Sequence, residues 1–346
     1  MGAPHGVGLV GYGYSGRTLH APLISAAPGL RLVAVASSRP GPFGVDGSVP
    51  RAGFDALLAD PAVEAVVIAT PTAEHAAQVE QALAAGKHVV VEKPMAASVA
   101  EAVRLAAMAE RAGLVLTVFH NRRWDADFLT VQRLVSEGTL GEVSYYEARW
   151  SRCRPDVRDR WRERAGPGAG VWFDLGSHLT DQAIRLFRAP AWVQADLGVQ
   201  RRGGEAVDYM HVCLGFEGPL RVVLHGSSLA AGEEPRLIVH GSAGSYVKRG
   251  LDVQEEALKA GLAPGAAGWG EDPNPGRLTA CRDGAFRVRE APSVRGDWTA
   301  FYAGFSEALD GGPPPVAARE AVEVMRVLEA GVKSAGLGRR VGIEEV

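Results

Sequence analysis

Cysteine is scarce in this 346-residue sequence, which holds only Cys153, Cys213 and Cys281. They are odd in number and widely spaced, with no C-x-x-C pair and no His/Cys cluster at metal-ligand spacing, which excludes a disulfide framework and a structural zinc site. A reducing, cytoplasmic setting and no bound metal are therefore expected. Long apolar runs are missing too. Nowhere do about 18 apolar residues follow one another, and Met1 to Leu9 lacks a basic segment leading into an apolar stretch, so neither a membrane span nor a secretory leader is expected. Charge of one sign is also lacking. Lys and Arg number 37 against 40 Asp and Glu, for a net charge of −3, and the basic residues are interspersed with acidic ones, so nucleic acid is not an expected partner.

What is present is enough chain for two domains, each able to bury its own core. Val7 to Val10, Leu30 to Ala36, Ala65 to Ala69, Lys87 to Val91 and Leu114 to Phe119 are continuous apolar runs of strand length. Strands buried on both faces read this way. Helix-like segments separate them, the clearest from Ser98 to Ala112, where Ser98 and Glu101 stand at capping-box spacing and Gly113 ends the pattern. Strand and helix in alternation to about residue 120 predict a parallel, doubly wound sheet.

After about residue 140 the pattern changes. Glu142 to Trp150 alternates, and Asp208 to Phe216 sets Met210, Val212, Leu214 and Phe216 opposite Tyr209, His211 and Cys213, the mark of an antiparallel sheet covered on one face. Glu217-Gly218-Pro219 then turns into Leu220 to Leu224, predicting a hairpin. Leu237 to His240 and Ala285 to Val288 are further strand candidates, whereas Gly261 to Gly276 reads as a loop. The reading is an α/β protein: a first domain over 1–122 with the parallel sheet and a second α/β domain over 123–346 with a mainly antiparallel sheet, with a final helix at 317–335 that can pack back on the first domain.

Gly11-Tyr12-Gly13-Tyr14-Ser15-Gly16 follows the first strand and opens a helix, the context that gives a G-x-G-x-x-G match meaning. Gly11 permits the tight turn, Gly13 lets backbone approach a diphosphate, and Gly16 lets helix pack on strand. Free amides at the helix start hold the diphosphate. The second strand runs into Ser37-Ser38-Arg39, where an NAD-preferring domain usually places an acid for the ribose 2′-hydroxyl. A guanidinium beside two hydroxyls suits a 2′-phosphate instead, so the sequence favours NADP, with NAD left open through Asp46 farther along the loop.

Catalytic candidates are Lys93, in Glu92-Lys93-Pro94, and Asp174 and His178, in Asp174-Leu175-Gly176-Ser177-His178. The last two share a face if the segment is helical. A carboxylate beside an imidazole orients a base, and an ammonium can polarise an oxygen, so the parts suit hydride transfer coupled to proton transfer. Residue types alone also allow a plain surface lysine and a structural Asp/His pair. The six arginines of Arg152 to Arg164, set among Asp156, Asp159 and Glu163, allow a phosphate or acidic-substrate site but read better as a solvated loop or interface with local ion pairs. His211, His225 and His240 read as structural.

The glycine turn, Ala69-Thr70-Pro71-Thr72 with Glu74-His75, Glu92-Lys93-Pro94 and Asp174 to His178 occur in this order along nearly the whole chain. In this the sequence resembles the Gfo/Idh/MocA oxidoreductases. The resemblance implies a Rossmann domain followed by an α/β domain whose open sheet face joins subunits into a dimer or tetramer. It also implies that Lys93 hydrogen-bonds the reacting oxygen, that His178 exchanges the proton, and that Asp174 orients substrate or histidine. The proline of the lysine motif is often preceded by a cis bond that aims the lysine. Cofactor contacts would extend to Thr70, Pro71, Thr72, His75, Glu92 and Lys93.

Arg17-Thr18-Leu19-His20-Ala21-Pro22, His120-Asn121-Arg122-Arg123-Trp124-Asp125 and Arg160-Trp161-Arg162 are similar to the branch containing NADP-dependent scyllo-inositol dehydrogenases. By that likeness Asn121, Trp161 and Arg162 lie near nicotinamide or substrate, and Asp181 contacts a polyol hydroxyl or pairs with Arg185. The expected activity is hydride transfer between NADP and a secondary alcohol or ketone of a cyclitol or sugar. Two other readings stay open: a nucleotide-binding sugar sensor without catalysis, and the same chemistry on a dihydrodiol or tetrapyrrole.

Overall fold

The continuous apolar runs become parallel strands with nearly every side chain inside. A computed structural model of the chain describes residues 3–346, and these divide into two units. The first comprises residues up to 124 together with 253–269 and 297–322; the second comprises 125–252, 270–296 and 323–346.

In the first unit, β1 (His5–Val10), β2 (Leu30–Ala36), β3 (Arg51–Ala52), β4 (Ala65–Ile68), β5 (His88–Val91) and β6 (Leu116–Val118) form one sheet in the order β3-β2-β1-β4-β5-β6. All its pairings are parallel, and β4 is buried at every residue. That burial on both faces is why the strands lack alternation. The connecting helices include α1 (Ala21–Ala26), α2 (Phe54–Ala59), α3 (Thr72–Ala84) and α4 (Val99–Ala112). At the start of α4 the Ser98 side chain accepts from the Glu101 N–H as predicted, but the Glu101 carboxylate takes the N–H of Ala97 rather than closing the box on Ser98. The strand order reverses between β1 and β4, and ligands of such sheets bind beyond the carboxyl ends of strands at that point.

The second unit is built on a nine-stranded sheet. After α5 (Ala126–Ser136) come β7 (Val143–Arg149), α6 (Ser177–Phe187), β8 (Trp192–Gly198), β9 (Tyr209–Gly215), β10 (Arg221–Ser227), β11 (Pro235–Gly241), β12 (Gly244–Arg249), β13 (Gly276–Arg282), β14 (Ala285–Ala291) and β15 (Val341–Gly342). Their order is β14-β13-β12-β11-β7-β10-β9-β8-β15, antiparallel except for the β7–β10 pair. The predicted hairpin is β9–β10. Met210, Val212 and Leu214 are fully buried while His211 is exposed, so alternation located the covered face correctly. Sequence reading missed β3, β8, β12, β13, β15, α5 and the helices Gln254–Lys259 and Thr299–Leu309. The final helix runs Ala318–Leu337. Among the described residues no helix is long and apolar enough to cross a membrane.

Candidate active site

In the first unit the candidate residues collect at the carboxyl ends of β1, β4 and β5. Gly11 leaves β1 at φ +93°, a conformation L side chains rarely adopt, and a Cβ there would lie 2.6 Å from the Ala69 carbonyl oxygen. The neighbouring chains are pinned: Gly11 N–H donates to the Ala36 carbonyl at 2.8 Å and Ala69 N–H to that of Val10 at 2.7 Å. A Cβ at Gly13 would meet nothing within 4 Å, whereas one at Gly16 would strike the Gly11 carbonyl. The turn is therefore tight where helix meets strand and open where a diphosphate would approach, and the helix that starts there continues through a wide turn, Gly16–His20, into α1. A dinucleotide fits these residues.

Tyr12 and Tyr14 tie the turn to other segments. The Tyr12 hydroxyl accepts from the Gly44 N–H at 2.9 Å, and its ring meets Phe43 edge-on. Tyr14 donates to Glu255 at 2.6 Å; burial and that carboxylate push its hydroxyl up to about 12. Ser37 Oγ accepts from the Arg39 N–H at 3.0 Å, and Ser38 and Arg39 are exposed at the end of β2. On the same loop the Asp46 carboxylate accepts from the hydroxyl and N–H of Ser48, which hold it below the usual carboxylate range.

Thr70 donates to Gln78 at 2.6 Å, Pro71 precedes α3, and Thr72 is buried at its first position. The buried His75 places Nδ1 2.9 Å from the Pro94 carbonyl and Nε2 3.0 Å from that of Thr70. It ties the turn after β4 to the turn after β5. The Lys93–Pro94 peptide is cis. Glu92 and Lys93 are 5% and 8% exposed. Burial would raise the Glu92 carboxyl, but hydrogen bonds from His20 and Ser15 and the charges of His20 and Lys93 overcome it and hold the group at about 2. Asn121, also buried, lies in the turn Asn121–Trp124 after β6, where Arg122 pairs with Glu255 at 2.6 Å and Arg123 with Glu320 at 2.8 Å.

Asp174 and His178 belong to the second unit. Asp174 sits in a wide turn, Trp172–Gly176, that leads into α6, and His178 is buried in the first turn of that helix. Trp172 anchors the segment: it is 1% exposed, and its Nε1 donates to the Leu328 carbonyl at 2.9 Å. A Cβ on Gly331 would come within 2.7 Å of its ring. Asp174 lies 3.4 Å from Arg162 Nε and 3.6 Å from Arg152 Nη2, while the Arg162 guanidinium covers the Trp161 ring at 4.5 Å. Arg164 pairs with Asp159, and the buried Arg201 holds Glu163 and Asp208 at 2.9 Å each. The arginine-rich segment thus carries local ion pairs, as its sequence predicts. The His178 ring lies 5.9 Å from that of Trp150. Asp181 is buried one turn beyond His178, on a helix where Arg185 is exposed.

Two family models cover most of the chain, one described as oxidoreductase family, NAD-binding Rossmann fold, over residues 5–120, and one as oxidoreductase family, C-terminal alpha/beta domain, over 132–343. The chain belongs to the Gfo/Idh/MocA oxidoreductase family. Among Gfo/Idh/MocA relatives, the uncharacterized oxidoreductase YdgJ of Escherichia coli is 47% identical over 95% of this chain and 96% of its own. The scyllo-inositol 2-dehydrogenase (NADP(+)) IolW of Bacillus subtilis is 38% identical over 98% and 96%. The structure of YPO2259 from Yersinia pestis superposes with a TM-score of 0.92 at 43% identity, covering 99% of this chain and 98% of that one. Membership makes the chain an oxidoreductase with a nicotinamide-binding Rossmann domain.

What sequence reasoning missed are the partners of the candidate residues. His20 appeared only within a branch-like stretch, and Tyr302 and Glu255 gave no signal, because their roles come from pairings across 282 and 241 residues.

Proposed function

We propose that this chain is an NADP-dependent dehydrogenase or reductase acting on a secondary alcohol or ketone of a cyclitol or sugar, with NAD as the weaker alternative. One observation carries the reading. The glycine turn after β1 and the Lys93 turn after β5 are joined through Ser15, whose hydroxyl donates to Glu92, so the groups proposed to hold the cofactor and the reacting oxygen share one end of one sheet. The acid-free end of β2, with Arg39 exposed, suits a 2′-phosphate. The name of the Bacillus relative points to the same cofactor and to a polyol.

A bound nicotinamide supplies the hydride acceptor or donor. The chain's own residues do the rest. Lys93 hydrogen-bonds the reacting oxygen and favours its alkoxide character, and the His178 ring takes the hydroxyl proton during oxidation and returns it during reduction. Asp174, with Arg152 and Arg162, lines the polyol end. The open sheet face, where Phe286 is 73% and Val288 53% exposed on β14, is the surface we assign to a homodimer or homotetramer.

The test is reduced-nicotinamide absorbance across a polyol panel with NADP+ and NAD+. Turnover with NADP+ and at least one inositol or sugar is expected, falling about 100-fold or more in Lys93→Ala and His178→Ala with cofactor affinity retained. Unchanged turnover in either variant would falsify the role assigned to that residue. Equal use of both cofactors by the wild type and Arg39→Ala would remove the NADP preference.

A further inference from the structure

Glu92 is surrounded by donors inside the first unit. Ser15 Oγ donates to its Oε1, His20 Nε2 lies 3.1 Å from the same oxygen, and the main-chain N–H of Lys93 donates to Oε2 at 3.0 Å. A carboxylate only accepts, so Nε2 carries a proton. His20 is fully buried, with its ring 4.3 Å from Phe119 and its Nδ1 2.6 Å from the Tyr302 hydroxyl. Tyr302 comes from the helix Thr299–Leu309; burial and the charge of Glu92 keep its hydroxyl protonated, well above the usual tyrosine value. The groups facing Glu92 are thus Ser15, His20, Lys93 and, through His20, Tyr302.

We propose that His20 and Tyr302 are positioning residues for Lys93: they hold Glu92 as a buried carboxylate, and the carboxylate fixes the main chain of the turn that presents the lysine. The proposal rests on the reading of Lys93 given under the proposed function. Its logic is electrostatic. A buried carboxylate persists only while donors compensate for lost water. Without His20, burial drives Glu92 to take up a proton, and its charge-assisted bond to the Lys93 N–H weakens to an ordinary one. A purely packing role for His20 predicts no such titration.

The test uses the full chain labelled with 13C at lysine Cε. The sequence holds five lysines, and Lys93→Arg identifies the Lys93 signal. Between pH 4 and 7 that signal should stay still in the wild type and move through one inflection in His20→Leu. The inflection should vanish in His20→Leu/Glu92→Gln and be absent from His20→Gln, whose amide can still donate to Glu92. Tyr302→Phe, which keeps the ring, should give the same inflection at lower pH, and serves if His20→Leu does not fold. In turnover with NADP+ and an inositol, His20→Leu should lose about tenfold or more in kcat, or roughly 1.4 kcal/mol, with KM and NADP+ affinity within about threefold; His20→Gln should recover most of it. Absence of the inflection from both His20→Leu and Tyr302→Phe overturns the proposal, as does a fall in activity confined to KM. A wild type inactive on every polyol overturns the functional reading instead, and the lysine spectrum still decides the question of position.

Discussion

Glu92 and Asp174 are both carboxylates within a residue or a turn of a candidate catalytic group, yet they are held by opposite means. Glu92 is inside the protein, with hydrogen bonds of 3.0 and 3.1 Å and a carboxyl held at about 2. The Asp174 side chain is about a quarter exposed and faces two arginines at 3.4 and 3.6 Å, longer than a good charged hydrogen bond. One turn is fixed by polar contacts to its carboxylate, the other by the apolar wedge of Trp172. The difference separates a carboxylate enclosed by hydrogen-bond donors from one set among longer, partly exposed ion pairs.

The largest expected effect tests the wedge. Trp172→Ala should cost about 3–5 kcal/mol in urea unfolding, because it empties a packed site and leaves the Leu328 carbonyl without its indole donor; a loss below about 1 kcal/mol would mean that packing does not hold the Asp174 turn. Next comes the buried carboxylate. Its folded value lies below the ordinary 4.5, so its contribution is complete above about pH 4.5 and is lost as pH falls towards about 2. The gap from 4.5 to about 2 is worth about 3 kcal/mol. Glu92→Gln should therefore flatten the fall in stability on acidification below pH 5, and an unaltered slope would contradict the account of Glu92. The smallest effect belongs to Arg162→Gln. A partly exposed pair at 3.4 Å should contribute under about 1 kcal/mol, and less in added salt; a larger, salt-insensitive loss would erase the contrast between the two carboxylates.

The same contrast governs how much could be read in advance. The parallel strands and the Gly11–Gly16 turn were legible because each depends on local pattern: an unbroken apolar run, a glycine at a position that needs positive φ. The covered face of β9 was legible through alternation. Strand β8 was missed although Val193, Ala195 and Leu197 alternate with the exposed Gln194 and Asp196, and β13 was not legible, because Gly276-Arg277-Leu278-Thr279 carries too little apolar periodicity to separate it from the loop before it. Candidate residues Lys93, Asp174 and His178 were named through motif order. Their supports, Tyr302 for His20 and the arginines for Asp174, come from chain segments whose approach no local pattern encodes.

The hydroxyl of Tyr302 reaches His20 from 282 residues away, and that distance has a consequence for synthesis. A nascent chain emerging from the ribosome has every strand of the parallel sheet by residue 118, but it still lacks the tyrosine that completes the buried chain of hydrogen bonds beneath the lysine. An amino-terminal fragment cut after residue 124 would carry the whole glycine fingerprint and still leave His20 without its tyrosine partner, so the hydrogen-bonded chain from Glu92 closes only after residue 302 has been made.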